Sequence, residues 1–314
     1  MRFKKAIPLL VAVSILLGIS IYLFSNPDLL ELLLNLSVKS AVALILLRMM
    51  FSLLNGLFLK LYARKLGVEL QPREWIGLPY VTTMGNYLTP LSGGMLARAA
   101  YLKNRHSLPF TQFATLLATN YLLAFWIAAL MGLIISLTLI NQADFVWLLA
   151  AFFAAVWLGV TAILFFPIPQ LPGNHRLLIT LNQGIEGWMT VRRDRRLMWY
   201  LIALTIGSIL LNGFTFWFAY RALDIAVSLQ TALLISLSSL FSIALTITPG
   251  NLGIQEAFVS LTSDMIGAGA GEGLLVALLL RASTLVSAFT LGPLFAVILS
   301  RDLYPPDYDT SETL

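Results

Sequence analysis

The chain has 314 residues, of which 59% are hydrophobic and 11% charged. Soluble domains carry about 25% charged and 45–50% apolar residues, so this composition excludes an ordinary soluble enzyme and a disordered chain. It fits a protein solvated mostly by lipid. Cysteine is absent, which removes thiol catalysis, Cys-ligated zinc and disulfides, and the only histidines are His106 and His175, so no metal site and no cofactor is expected. The net charge of +5 is read as membrane orientation, not nucleic-acid binding.

Charge-free runs cover residues 6–27, 75–97, 106–143, 145–175, 197–220, 225–255 and 282–300. A helix crosses a bilayer with about 20 apolar residues. Full spans are expected near 6–24, 38–59, 110–140, 145–167, 198–220 and 273–299. The first follows Met1-Arg-Phe-Lys-Lys5 and is read as an uncleaved anchor, because its apolar stretch is long and no A-x-A site follows. Segments 75–105 and 226–266 are apolar but interrupted, by Thr89-Pro90-Leu-Ser92-Gly93-Gly94 and by Thr248-Pro249-Gly250-Asn251-Leu-Gly253. No helix runs smoothly through such breaks. Each segment is either two short helices joined outside the membrane or a re-entrant pair with its break buried in protein.

Placing the N-terminus inside, and returning both broken segments to the side they enter from, puts sixteen of the twenty Lys and Arg inside and only Lys39 and Arg221 outside. Both termini are then cytoplasmic, in a cell (inner) membrane. True double crossings would give the same sides.

The halves resemble each other. Leu53-Leu-Asn55-Gly56 recurs as Leu210-Leu-Asn212-Gly213, Thr89-Pro90 as Thr248-Pro249, and Gly94 as Gly253, at offsets of 157 to 159. Three spans separate the start of one copy from the start of the next, which inverts the second copy. Inverted repeats with broken helices are a transporter architecture. The expected fold is an all-α polytopic helical bundle with an inverted internal repeat and two re-entrant helix pairs. Its parts are an anchor and outer loop (1–37), repeat 1 with a connecting span (38–168), a basic cytoplasmic loop (169–197), repeat 2 (198–300) and a tail (301–314).

Pro249-Gly-Asn-Leu-Gly-Ile-Gln-Glu-Ala257 resembles the P-G-G-L-G-x-x-E-A signature of the lysylphosphatidylglycerol synthase transmembrane region, a flippase-like family. Thr89-Pro90-x-x-x-Gly94-x-x-x-Arg98-Ala99 is similar to that family's first-half motif, and Arg281 to an Arg of its last span. The first motif departs where the family commonly has Glu, since Met95 follows Gly94. About 14 residues follow the last span, where large members carry a soluble aminoacyl-transferase domain, so the resemblance implies a stand-alone lipid-translocation module without synthetase activity.

Ser92 and Asn251 follow the breakers and precede helical stretches, as N-caps do, so Ser92–Gly94 and Asn251–Gly253 are expected to present helix N-termini to a phosphate. Arg48, Arg98, Glu256 and Arg281 are the ionisable residues nearest the membrane interior. An Arg at a span centre costs about 2.5–3.5 kcal/mol, so each needs a partner or a wet cavity. Arg281, Thr284 and Ser287 share one helix face, and Asn120 sits near the repeat position of Arg281. Arg281 and Glu256 are expected to line the cavity, with Glu256 neutralising an Arg, binding an amine or carrying a proton. Arg48 is a weaker candidate because its repeat counterpart is Thr205. His106 and His175 are expected to be solvated beside Arg105 and Arg176, and Leu177 to Trp188 to form an interfacial stripe or part of a basic loop.

The function expected is a flippase-like transporter moving an anionic, amine-modified or polyprenyl-phosphate-linked lipid. Alternatives are a membrane-embedded lipid transferase with Glu256 as base, for which no catalytic motif speaks, and an accessory subunit of a separate lipid-modifying enzyme. The partner expected is a membrane lipid with a phosphate-bearing headgroup.

Overall fold

The computed structural model describes residues 25, 27–89, 92–141, 145–165, 194–245 and 248–303. The first span, Pro90, His175, the Leu177–Trp188 stripe and the tail beyond residue 303 lie outside the described residues. Among the described residues the structure is all helical, with α1 (Pro27–Leu34), α2 (Val38–Lys65), α3 (Pro72–Leu88), α4 (Gly93–His106) and α5 (Phe110–Leu139), then α6 (Val146–Phe165), α7 (Arg195–Ala222), α8 (Leu229–Leu240), α9 (Ile254–Met265) and α10 (Ala270–Leu303). Helices α2, α5, α6, α7 and α10 are long and apolar enough to cross a membrane. On α2, Val38, Val42, Leu46, Met50 and Leu53 make an exposed apolar ladder, while Leu59, Tyr62 and Ala63 are fully buried. Such an outward apolar stripe is costly in water and favourable in lipid. The protein is a multi-pass membrane protein.

Local chemistry sets the helix ends. Ser37 accepts from the Ser40 N–H at 3.1 Å to start α2, and Asp194 accepts from the Leu197 N–H at 3.1 Å to start α7. Both helices stop in the same way. Val68 N–H returns to Ala63 O through Gly67 (φ 80°), and Ile225 N–H returns to Tyr220 O through Asp224 (φ 56°). After each stop a new helix folds back over the previous one. A Cβ on Gly56 would lie 2.0 Å from the Trp75 carbonyl oxygen, and one on Gly213 would lie 2.2 Å from Leu233 Cδ1. These two glycines set how closely α3 lies on α2 and α8 on α7.

The broken segments form two helical hairpins. In the first, α3 and α4 touch backbone to backbone near the tip, where a Cβ on Gly94 would meet Thr82 O at 2.0 Å. Away from the tip, Glu74 of α3 accepts from Tyr101 Oη at 2.8 Å and meets His106 Nε2 at 2.7 Å, so both limbs end at the same end of the bundle. Arg73–Asp302 at 2.9 Å and Lys65–Asp194 at 2.6 Å lock that end further. The second hairpin, α8 and α9, is held at the other end of α7, where Tyr220 Oη meets Ser263 Oγ at 2.6 Å. Helix α10 packs on α3, and α5 packs on α8 and α6.

Two apolar clusters sit at opposite ends. One gathers Phe58 to Ala63 of α2, Leu201 of α7 and Leu299 of α10. The other gathers Leu44 of α2, Phe216 to Tyr220 of α7 and Leu275 to Leu280 of α10. The polar residues of the same three helices fall between them.

His106 is corrected by the structure. Its side chain is 17% exposed and engaged by a nearly inaccessible Glu74. The carboxylate that recruits it lies 32 residues away in sequence, which local polarity could not reveal.

Candidate functional site

A cavity of about 390 Å³ opens between the two apolar clusters. Its wall takes Arg48 and Asn55 from α2, Asn86 and Tyr87 from α3, and Ser92 and Arg98 from the first tip and α4. Asn120 and Tyr121 come from α5, Thr205 and Asn212 from α7, Gly250, Asn251 and Gln255 from the second break, and Arg281 and Thr284 from α10. These seven chain segments therefore supply the polar groups of one chamber.

The tips of the two hairpins meet there, at Arg281. Its Nη1 donates to Gly250 O at 2.8 Å and to Tyr87 Oη at 3.4 Å, its Nη2 donates to Asn251 O at 3.2 Å, and its Nε donates to Glu256 Oε1. The guanidinium also lies 5.6 Å from the Tyr87 ring centroid. A Cβ on Gly250, which has φ 59°, would lie 2.3 Å from that ring, so the close contact between the tips requires glycine. Glu256 is nearly inaccessible, and its second oxygen accepts from the Gly253 N–H at 2.7 Å. The pair thus closes the 250–256 loop onto α10.

Of the residues the sequence singled out, Arg281, Arg98, Ser92, Asn251, Asn120 and Thr284 line the cavity together with Gly250. Gly93, Gly94, Gly253 and Glu256 do not. Gly93 packs on Thr89, Gly94 on Thr82 and Asn86, and Glu256 stands behind Arg281. Pro249 begins a single 3-10 turn, Pro249–Asn251, in which Asn251 has φ 58°. Ser287 is buried and its hydroxyl donates to Thr284 O, so the polar stripe on α10 reaches the chamber only through Arg281 and Thr284.

The capping assignments need correction. Ser92 holds the N-cap position of α4 with φ 56° and makes no side-chain cap. Asn86 Oδ1 instead accepts from the Met95 N–H at 3.2 Å. Asn251 does not cap α9, which starts after Gly253. Its Nδ2 donates to Ser242 O at 3.1 Å and to Ser242 Oγ at 3.0 Å. Side chains of the protein therefore accept from one N–H at the start of each helix.

Arg48, the weaker candidate by sequence, also lines the chamber. It donates through Nη1 to Asn212 Oδ1 at 2.9 Å, and Arg98 donates through Nη1 to Asn55 Oδ1 at 3.3 Å. The two asparagines belong to the recurring Leu-Leu-Asn-Gly segments, and each orients one guanidinium. The available signal was Arg48 and Asn55 seven residues apart on one face of an apolar helix. Among the described residues, no cluster of His, Asp and Glu could hold a metal ion.

A family model described as lysylphosphatidylglycerol synthase TM region matches residues 7–292. No curated protein and no solved structure matches the chain.

Proposed function

The chain belongs to the lysylphosphatidylglycerol synthase TM region family, and from that premise we propose that it is a flippase-like transporter moving a phosphate-bearing lipid between leaflets. Anionic, amine-modified and polyprenyl-phosphate-linked lipids fall within that class. The observation that carries the reading is the meeting of two helical hairpins from opposite ends of the bundle at a buried arginine, in a chamber lined by three arginines. A headgroup crossing lipid needs such a chamber, because irregular backbone at membrane depth is tolerated only inside protein or beside water. The hairpins are read as re-entrant pairs and the halves as an inverted repeat. Supporting this, Pro72 and Leu229 start equivalent helices 157 residues apart. The last helix of each half packs on the first hairpin helix of the other, α10 on α3 and α5 on α8. The membrane is the cell membrane, and the end bearing Lys65, Arg73 and His106 is cytoplasmic, which fits its load of basic residues.

In this reading Arg281 and Glu256 hold the second tip against the first, and headgroup entry loosens that clasp. Arg98, Ser92, Asn120, Asn251 and Thr284 face the headgroup. The test is reconstitution of the pure protein in vesicles carrying fluorescent phosphatidylglycerol and polyprenyl phosphate, with dithionite quenching of the outer leaflet. Protein-dependent loss of the protected fraction is expected for at least one of the two. No loss for either, with the protein folded, refutes translocation of these lipids, and a new lipid product would point to a transferase.

A further inference from the structure

The charges around the chamber do not balance. Arg48, Arg98 and Arg281 line it, and among the described residues no Asp or Glu does. Glu256 is spent on Arg281 and on the Gly253 N–H. Arg48 and Arg98 have only neutral partners, the Asn212 and Asn55 amide oxygens. An amide aims a guanidinium but does not neutralise it. The Nε of Arg48 and the Nε of Arg98 are both buried without any acceptor, and Arg98 as a residue is 5% exposed. Two guanidinium charges without a counter-charge in one partly enclosed site are costly. An anion entering between them would recover that cost.

We infer that Arg48 and Arg98 form a binding site for a dianionic phosphate, a phosphomonoester or pyrophosphate group. The inference rests on the chamber being a headgroup site and names the chemistry it selects. The uncompensated charge is +2, which a phosphomonoester matches when fully ionised and a phosphodiester only half matches. Each guanidinium has five N–H donors in a planar fork suited to phosphate oxygens, and each uses a single nitrogen on its asparagine. Asn86, Asn120 and Gln255 add neutral polar groups to the same wall. An aminoacylated headgroup brings an ammonium that needs a carboxylate, and the nearby Glu256 has both oxygens engaged. The site therefore disfavours amine-modified lipids.

The experiment measures binding to the purified full-length protein in uncharged detergent. The probes are phosphatidic acid as lipid phosphomonoester, phosphatidylglycerol as phosphodiester, and glycerol 3-phosphate as soluble phosphomonoester. Phosphatidic acid should bind at least about tenfold more tightly than phosphatidylglycerol at pH 7.5, the gain expected from one added charge-assisted contact. That preference should shrink below about pH 6, where the phosphomonoester regains a proton while arginine keeps its charge. Arg48→Gln and Arg98→Gln should each weaken phosphatidic acid binding by about tenfold or more. Competition by glycerol 3-phosphate would show the same site serving a water-borne ligand, and its failure to compete would assign the site to lipid. Equal affinity for the two lipids at every pH, or unchanged phosphatidic acid binding in both variants, overturns the inference. If the variants do not fold, the wild-type preference and its pH dependence decide. Selective binding without translocation would retire only the transport reading, and translocation without phosphomonoester preference would retire only this one.

Discussion

Replacing Arg281 by Met tests whether the clasp between the hairpins is structural, functional or both. The substitution removes hydrogen bonds to Gly250 O and Asn251 O and leaves Glu256, with its side chain 3% exposed, holding a charge against only the Gly253 N–H. Removing one partner of a buried pair costs about 3–5 kcal/mol, most of it the price of the stranded charge. Glu256→Gln keeps shape and one acceptor but leaves the buried Arg281 charge with neutral acceptors only, so it too should lose stability, by less than Arg281→Met because Gly250 O and Asn251 O still accept from the guanidinium. The double variant Arg281→Met/Glu256→Leu strands no charge and should recover most of the single-variant loss. Thermal unfolding of the detergent-solubilised chain, with denaturant as a second probe, reads the order wild type, double variant, Arg281→Met. A melting midpoint for Arg281→Met equal to wild type, or a double variant no better than the single, refutes the energetic reasoning. The double variant then serves in vesicles. Full lipid movement would confine the pair to a structural role, and a folded but inactive protein supports the clasp as part of transport.

Two further predictions follow from packing and charge. Gly94→Ala places a Cβ 2.0 Å from Thr82 O and 2.7 Å from Asn86 N, both backbone atoms, whereas Gly159→Ala meets nothing within 4 Å. Melting should therefore drop sharply for the first and stay level or rise for the second, where Ala gains about 1 kcal/mol of helix propensity, and equal behaviour would contradict the tight tip. Because the chain lacks cysteine, single cysteines at 64 and 270 report topology directly. An impermeant thiol reagent should label 270 and not 64 in intact cells, and labelling at 64 without permeabilisation would reverse the orientation.

The membrane class, the five long helices and the two breaks were legible in sequence because they depend on local properties. Apolar length decides a span, and Pro and Gly decide where a helix must stop. The recurrence of Asn55-Gly56 as Asn212-Gly213 was visible because such pairs are rare in an apolar chain, and in the structure both glycines lie under a crossing helix. Arg281 and Glu256 stood out because charge in an apolar run needs a reason, and their pairing across 25 residues follows from that need.

What only tertiary structure decided is which polar groups satisfy one another. Cap chemistry suggested Ser92 as a helix cap, but Asn86 accepts the Met95 N–H because the hairpin fold brings it there, whereas Glu256 takes the Gly253 N–H by a local contact three residues away. His106 was expected in water and is held by Glu74. Arg48 and Asn212 are 164 residues apart, and Arg98 and Asn55 are 43 apart. Nothing in the local sequence of either arginine shows that its partner is a neutral amide and not a carboxylate. The chamber's surplus of positive charge is the sum of such long-range pairings, so it exists only once α2, α4, α7 and α10 are packed together.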